Sequence, residues 1–142
     1  MNPTAEALSQ RSFDFSVRIV ALARLLSQSQ TDRVLAMQVL RSGTSIGANI
    51  REAQFAQSKA DFVSKLSIAL KEASETQYWV DLLSASGLVT KDQFDLLKAD
   101  ADWLVGTLVN VIKATKRNLK PPQAAFQAAK RHLPISSRVA AI

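Results

Sequence analysis

The sequence predicts an all-α protein, an antiparallel up-down-up-down four-helix bundle with a basic, partly mobile C-terminal tail. Apolar residues recur at spacings of three and four in four separate segments, which is typical of amphipathic helices. The breaks between these segments are short, and we find no strand signal in the chain. At 142 residues, the chain is long enough for one domain with its own core.

We divide the chain into an N-terminal lead-in at residues 1–11, the bundle at residues 12–118 and the tail at residues 119–142. Ser12 is a suitable N-cap for the first helix, and Thr31 or Asp32 can cap the second. One face of the first helix carries Phe15, Ile19, Leu22 and Leu26. The corresponding face of the second carries Leu35, Val39, Ser42, Ile46, Asn49, Ala53 and Ala56. The pattern continues through Gly43 and Gly47, so we expect one long helix there, either straight or kinked at these glycines.

The third and fourth helices have clearer start and stop signals. Ser58 caps the third helix, Ser86 and Gly87 end it, and Thr90 to Asp92 start the fourth. The apolar face of the third helix comprises Phe62, Leu66, Ala69, Ala73, Thr76, Val80 and Leu83. That of the fourth comprises Phe94, Leu97, Ala101, Leu104, Leu108 and Val111, and the prolines at 121 and 122 block its continuation.

The apolar arcs of these helices are wider than one narrow face. On the first helix, Phe13, Val17 and Val20 form a second stripe. A wide bundle core would explain such arcs, and so would a face that packs against other copies of the protein. We favour the second explanation and expect a homo-oligomer.

The positive charge of the chain is concentrated toward its ends. Net charge is +3 over residues 1–51, −4 over residues 52–102 and +7 over residues 103–142, where no acidic residue occurs. This asymmetry indicates either a nucleic-acid partner or a solvated basic tail that aids solubility. The candidate nucleic-acid-binding residues are Lys113, Lys116, Arg117, Lys120, Lys130 and Arg131, and five arginines at positions 11, 18, 33, 41 and 51 add positive charge.

Catalytic and metal chemistry are poorly supported by the sequence. The chain has no cysteine, and its one histidine, His132, lacks the Glu three residues before it that di-iron bundles use. No glycine-rich phosphate loop is present. We therefore expect a protein that is not an enzyme and needs no metal or cofactor. Because no run of about 20 apolar residues and no signal-peptide pattern occurs, we expect a cytoplasmic protein that does not contact membranes.

Polar residues also follow the facing sides of the second and third helices. Ser45, Asn49 and Glu52 are spaced by four and three on the second helix, and Lys71 and Glu75 by four on the third. If these sides meet, Asn49 and Glu52 can pair with Lys71. We interpret the five residues as a structural polar seam that fixes helix register, because buried polar groups need partners.

Two spaced patterns carry a resemblance to a known family. The first, RS-x-x-SI-x-ANI-x-EA, runs from Arg41 to Ala53, and the second, DF-x-x-KL-x-IAL-x-EA-x-E, runs from Asp61 to Glu75. They resemble the four-helix bundle proteins encoded in intervening sequences of bacterial large-subunit ribosomal RNA genes. The chain is also similar to the accessory variability determinant of diversity-generating retroelements. Looser similarity extends over residues 12–118.

The resemblance implies a homopentameric ring of four-helix bundles, with RNA or a reverse-transcriptase-like protein as partner. It supplies no catalytic residues. Together with the charge distribution, it favours a non-enzymatic oligomer that binds RNA or a ribonucleoprotein through basic surface residues. The alternative is a protein–protein interaction scaffold that does not bind nucleic acid.

Overall fold

Four helices joined by short connections run in alternating directions around a common core. The computed structural model describes residues 2–119, in which α1 (Pro3–Leu26), α2 (Gln30–Ala53), α3 (Lys59–Ala85) and α4 (Lys91–Leu119) follow one another. Each helix packs against its two neighbours, and α1 meets α4 to close the bundle. No strand occurs among the described residues. The predicted antiparallel four-helix bundle is confirmed.

The first helix begins ten residues earlier than predicted. Asn2 is its N-cap, with the side-chain oxygen accepting a hydrogen bond from the Ala5 N–H at 2.8 Å, and Pro3 occupies the first turn. Both residues suit a helix start, because Asn satisfies a free N–H and Pro lacks one. Leu8 is buried at 3% exposure and belongs to the core. The predicted lead-in at residues 1–11 is therefore wrong, and Ser12 is a buried residue inside the helix.

The second helix is continuous, but its predicted caps are wrong. It begins after Ser29, whose side chain makes no capping hydrogen bond, and Thr31 and Asp32 lie inside the helix. It ends at Ala53, so Ala56 lies in the following connection. Four of its seven buried residues belong to the predicted face, and the full buried set is Ala36, Val39, Ser42, Gly43, Ile46, Ile50 and Ala53.

Close approach of α1 to α2 explains why a helix tolerates the two central glycines of α2. A Cβ atom built on Gly43 would lie 2.9 Å from both γ carbons of Ile19. A Cβ on Gly47 would lie 3.4 Å from the Ser12 carbonyl oxygen and the Ser16 hydroxyl. Small residues therefore let the two backbones come together, as expected for a close-packed helix pair.

The third and fourth helices begin where the sequence predicts. The Ser58 hydroxyl accepts from the Asp61 N–H at 3.0 Å. Thr90 and Gln93 form a reciprocal capping box before α4, with backbone-to-side-chain distances of 2.8 and 3.1 Å. Gly87 has φ of 72°, the left-handed conformation that glycine adopts after a helix. The helix α4 extends to Leu119, one residue into the predicted tail, and residues 120–142 lie outside the described range.

The extra apolar stripe on α1 does not enter the core of the single chain. Phe13 and Val17 are 53% and 54% exposed, and Val20 is also exposed. A wide core is therefore the wrong explanation for this stripe. We call Phe13, Val17 and Val20 the outer stripe of α1.

Candidate functional site

The buried polar contact between α2 and α3 joins two small hydroxyl residues. The Ser42 and Thr76 hydroxyl oxygens lie 2.9 Å apart, and both residues are fully buried. The Thr76 hydroxyl also lies 2.7 Å from the Glu72 carbonyl oxygen of its own helix. Both residues stand in the predicted apolar faces, but the hydrogen bond between them could not be read from those patterns.

The predicted polar seam lies at the edge of the α2–α3 contact, and its predicted pairing is wrong. Within α2, the Ser45 hydroxyl donates to the Arg41 carbonyl at 2.7 Å, and the Asn49 side-chain amide donates to the Ser45 carbonyl at 2.8 Å. Lys71 is exposed and makes no ion pair with any described residue. Neither Asn49 nor Glu52 therefore forms a hydrogen bond or an ion pair with Lys71.

The charged contacts between α2 and α3 involve two residues from outside the predicted seam, Arg41 and Lys65. Arg41 forms ion pairs with Glu75 and, at 3.4 Å, with Glu72. Glu52 instead binds Lys65 at 2.8 Å. The side-chain hydrogen bond from Lys65 to Glu52, followed by the attraction of that carboxylate, raises the pKa of Lys65 above its ordinary value of 10.5. The five predicted residues are thus structural or surface groups, and they converge on no single point.

The predicted nucleic-acid-binding residues divide between the end of α4 and the tail. Lys113, Lys116 and Arg117 lie in the last two turns of α4, are exposed and make no ion pair with another residue of the described range. Lys120, Lys130 and Arg131 lie outside the described residues.

The fold brings two further cations to the same end of the bundle. The end of α2 and the start of α3 lie beside the end of α4, since Gln54, Phe62 and Val111 line one cavity of about 100 Å³. Arg51 and Lys59 flank the α2–α3 connection there, both exposed. Residues 113–117 follow Val111 by roughly 3–9 Å along the helix axis, at 1.5 Å per residue. We call Arg51, Lys59, Lys113, Lys116 and Arg117 the basic end.

Most cations elsewhere in residues 2–119 are neutralised by carboxylates. Arg11 and Arg18 pair with Asp100, and Lys98 lies between Asp81 and Asp102. Lys91 pairs with Asp95 at 2.8 Å, which raises its pKa chiefly through the side-chain hydrogen bond. The remaining exposed cations without such a pair in the described range are Arg24, Arg33 and Lys71. The first two lie at the opposite end of the bundle and Lys71 lies within α3, so unpaired positive charge is densest at the basic end.

Two acidic residues near the basic end, Glu52 and Asp61, are engaged in local contacts, whereas Glu6 of α1 shares a groove with Arg51 and forms no ion pair within the described range. Glu52 binds Lys65, and Asp61 accepts from the Gln57 N–H at 3.1 Å in the first turn of α3. These carboxylates therefore stabilise the α2–α3 connection, and neither pairs with a cation of the basic end. This convergence has no local signal in the sequence, because Arg51 and Lys59 precede Lys113 by more than fifty positions.

The outer stripe of α1 begins next to the basic end. Phe13 and Arg51 line one shallow groove together with Glu6, Ser9 and Gln10. From there the stripe follows α1 toward the far end of the bundle through Val17 and Val20. An apolar surface and a cationic surface are thus adjacent on the same chain.

Residues 2–119 contain neither a metal-binding cluster nor a membrane-spanning helix. No three acidic, histidine or cysteine side chains of residues 2–119 come together as a metal site would require. None of the four described helices is apolar over a stretch long enough to cross a membrane.

Comparison with known proteins finds one family and a closely similar structure. A family model described as 23S rRNA-intervening sequence protein matches residues 6–110. A crystal structure of a protein of unknown function from the S23 ribosomal protein family of Bacteroides thetaiotaomicron is similar, with 46% identity and a TM-score of 0.74. The match covers 78% of this chain and 98% of that one. No functionally curated protein matches the chain.

Proposed function

The chain belongs to the 23S rRNA-intervening sequence protein family, and we propose that it is a non-enzymatic homo-oligomer that binds RNA through its basic end. The observation that carries this proposal is the convergence of five exposed cations from three helix ends. A further four basic residues, Lys120, Lys130, Arg131 and Arg138, follow in the sequence after α4. A cytoplasmic location is part of the same proposal.

Phosphate contacts explain how such a surface would hold RNA. Lysine and arginine side chains that neutralise phosphates release counterions, so affinity falls steeply as salt increases. Since the cations of the basic end have no carboxylate partner among the described residues, binding would break no internal ion pair. The paired cations, such as Arg18 and Lys98, would have to lose theirs.

Self-association is the second part of the proposal. The outer stripe exposes a phenylalanine and two valines on one helix face, and water contact with such a face is unfavourable. We propose that the outer stripe packs against a neighbouring copy, in a pentameric ring as the family resemblance implies. Each copy would then bring its basic end to the assembly. The similarity to the accessory variability determinant, and with it a reverse-transcriptase-like partner, stays a prediction.

The exposed outer stripe also favours the alternative, a protein–protein scaffold without nucleic-acid binding. In that case the basic end would serve solubility alone. The two functions differ in their response to RNA, and not in their oligomeric state.

RNA binding is tested with a charge-reversal variant and a matched control. The test variant replaces Lys113, Lys116 and Arg117 with Glu; the control replaces Arg24, Arg33 and Lys71 with Glu, which changes net charge equally. Fluorescence anisotropy with a labelled structured RNA, over a salt series, should show strong loss of binding for the test variant alone. For the test variant, the slope of log binding constant against log salt concentration should become shallower by about two to three, because each removed cation eliminates one phosphate contact. Equal losses in both variants would leave only a net-charge effect, and no binding by the wild type at low salt would favour the scaffold.

Self-association is tested by light scattering coupled to size exclusion. We expect a wild-type mass near five protomers of 15.5 kDa, and a smaller species for Val17→Asp. Val34→Asp is the control, because Val34 is a comparably exposed valine in the first turns of α2, away from the basic end. A wild-type monomer would contradict the oligomer, and an unchanged Val17→Asp mass would exclude the outer stripe as its interface.

A further inference from the structure

Phe55 is an aromatic side chain that the fold leaves in solvent. At 81% exposure it is the most exposed of the large apolar residues in the described range. It stands in the connection between α2 and α3, four residues after Arg51 and four before Lys59. The phenyl ring therefore belongs to the connection at the basic end, with an exposed cation four residues away on either side in the chain.

Local hydrogen bonds hold the backbone that carries this ring. The Phe55 N–H donates to the Glu52 carbonyl at 3.0 Å, and the Ala56 N–H donates to the Ala53 carbonyl at 3.2 Å. The side chain of Gln54 ties the connection to α1 by donating to the Ser9 hydroxyl at 3.1 Å. The ring is thus presented by an ordered turn whose two ends are fixed by helices.

The start of α3 completes this support. The Asp61 N–H donates to the Ser58 hydroxyl while the Asp61 carboxylate accepts from the Gln57 N–H, so the last residues of the connection are also bonded. Every part of residues 54–58 is therefore engaged in a turn, a cap or a contact with α1. Exposure of Phe55 is a property of this ordered connection.

Proteins bind unpaired nucleotides with flat aromatic side chains that lie next to cations. A base stacks on the ring, and the flanking cations contact the phosphates on either side. In an A-form duplex the bases are stacked on each other, so an exposed phenyl ring has no such partner there. The combination of ring and cations thus distinguishes one form of RNA from another.

We propose that Phe55 stacks on an unpaired RNA base, with Arg51 and Lys59 contacting the adjacent phosphates. This inference rests on the proposed RNA binding and names its substrate class: a single-stranded end, loop or bulge. The lysines and arginine of α4 then contribute sequence-independent attraction, and Phe55 selects unpaired nucleotides.

The test compares substitutions of Phe55 on two RNA probes of equal length, one single-stranded and one a perfect duplex. Phe55→Ala should weaken single-strand binding by about 5- to 150-fold, the range for loss of one stacked base, and leave duplex binding within about twofold. Phe55→Trp should retain affinity, and Phe55→Leu should behave like the alanine variant, because leucine is apolar but has no ring to stack. The folding of all three is checked by thermal unfolding, which substitution of so exposed a side chain should leave unchanged.

The outcomes separate failure of this inference from failure of RNA binding itself. If the wild type binds both probes and Phe55→Ala binds them with unchanged affinity, the inference is overturned and the proposed function stands. Full affinity in Phe55→Leu would indicate an apolar contact and exclude stacking. A change in the oligomer mass of Phe55→Ala would assign the ring to a contact between copies. Absence of binding to either probe at low salt would overturn both proposals.

Discussion

Replacing Gly43 with alanine should destabilise the bundle, although alanine is the better helix former. In an exposed helix position, glycine to alanine stabilises by about 1 kcal/mol. At Gly43 the new methyl group would lie 2.9 Å from both γ carbons of Ile19, well inside the roughly 3.5–4.0 Å that carbon atoms prefer. Whether Gly43→Ala stabilises or destabilises the bundle therefore depends on whether the Ile19 side chain can move away.

Ile19 has little freedom to do so. It is fully buried, and a β-branched side chain in a helix has one strongly preferred rotamer. The γ carbons are fixed close to the backbone of α1, so relief requires a shift of the whole helix. Overpacking of this kind costs about 1–3 kcal/mol, which offsets the gain in helix propensity and leaves a net loss of up to about 2 kcal/mol.

Two other glycines of the same bundle serve as controls. Gly106 in α4 has no atom within 4 Å of a built Cβ, so Gly106→Ala should stabilise by about 1 kcal/mol. Gly47→Ala should fall between the two, because its nearest contacts are at 3.4 Å. The order of stability is thus Gly106→Ala first, Gly47→Ala second and Gly43→Ala last.

Urea unfolding followed by circular dichroism measures this order, at one protomer concentration so that self-association does not confound it. In an Ile19→Ala background the cost of Gly43→Ala should largely disappear, because both γ carbons are then absent and only the Cβ contact at 3.3 Å remains. Equal midpoints for Gly43→Ala and Gly106→Ala would refute the close approach of α1 and α2.

Two further predictions concern polar groups. Thr76→Val should lower the free energy of unfolding in urea by about 1–3 kcal/mol, because it leaves the buried Ser42 hydroxyl without its partner at 2.9 Å. The double variant with Ser42→Ala should recover part of that loss. Full additivity of the two changes would contradict the contact. Because Glu52 raises the pKa of Lys65, the charged lysine is favoured in the folded state, so its stabilisation is complete at neutral pH and is lost as pH rises above 10.5. The difference in unfolding midpoint between wild type and Lys65→Met should therefore be constant from neutral to mildly basic pH and shrink above pH 10.5. A difference that already shrinks below pH 9 would contradict stabilisation by the Lys65–Glu52 ion pair.

Periodicity and caps were sufficient to predict the helices where the signals are local. The Ser58 cap and the heptad-like run from Leu66 to Leu83 are confirmed because a cap and a face depend only on neighbours in the chain. The same rules could have placed the first helix, since Asn2 and Pro3 form a valid start. No clear apolar period precedes Ser12, because Leu8 alone anchors this segment in the core.

The polar seam shows what a periodic pattern leaves undetermined. Spacing assigns residues to a face, but not the axial offset between two helices or the reach of a long side chain. Glu52 therefore meets Lys65 and not Lys71, while Arg41 extends to Glu75 from a position outside the predicted seam. The basic end could not be predicted from spacing either, because it is the chain topology that brings Lys59 beside the end of α4.

The uneven placement of charge also gives the molecule an orientation. At the basic end, the five cations have no described carboxylate partner, while at the other end Asp92 and Asp95 accompany Lys91, and only Arg24 and Arg33 lack an ion pair. The bundle is consequently an electric dipole along its long axis. A polyanion at a distance exerts a torque on such a dipole, which turns the basic end forward before any contact forms and speeds encounter at low ionic strength. Collision would thus be end-on, with the α2–α3 connection among the first parts of the chain to arrive.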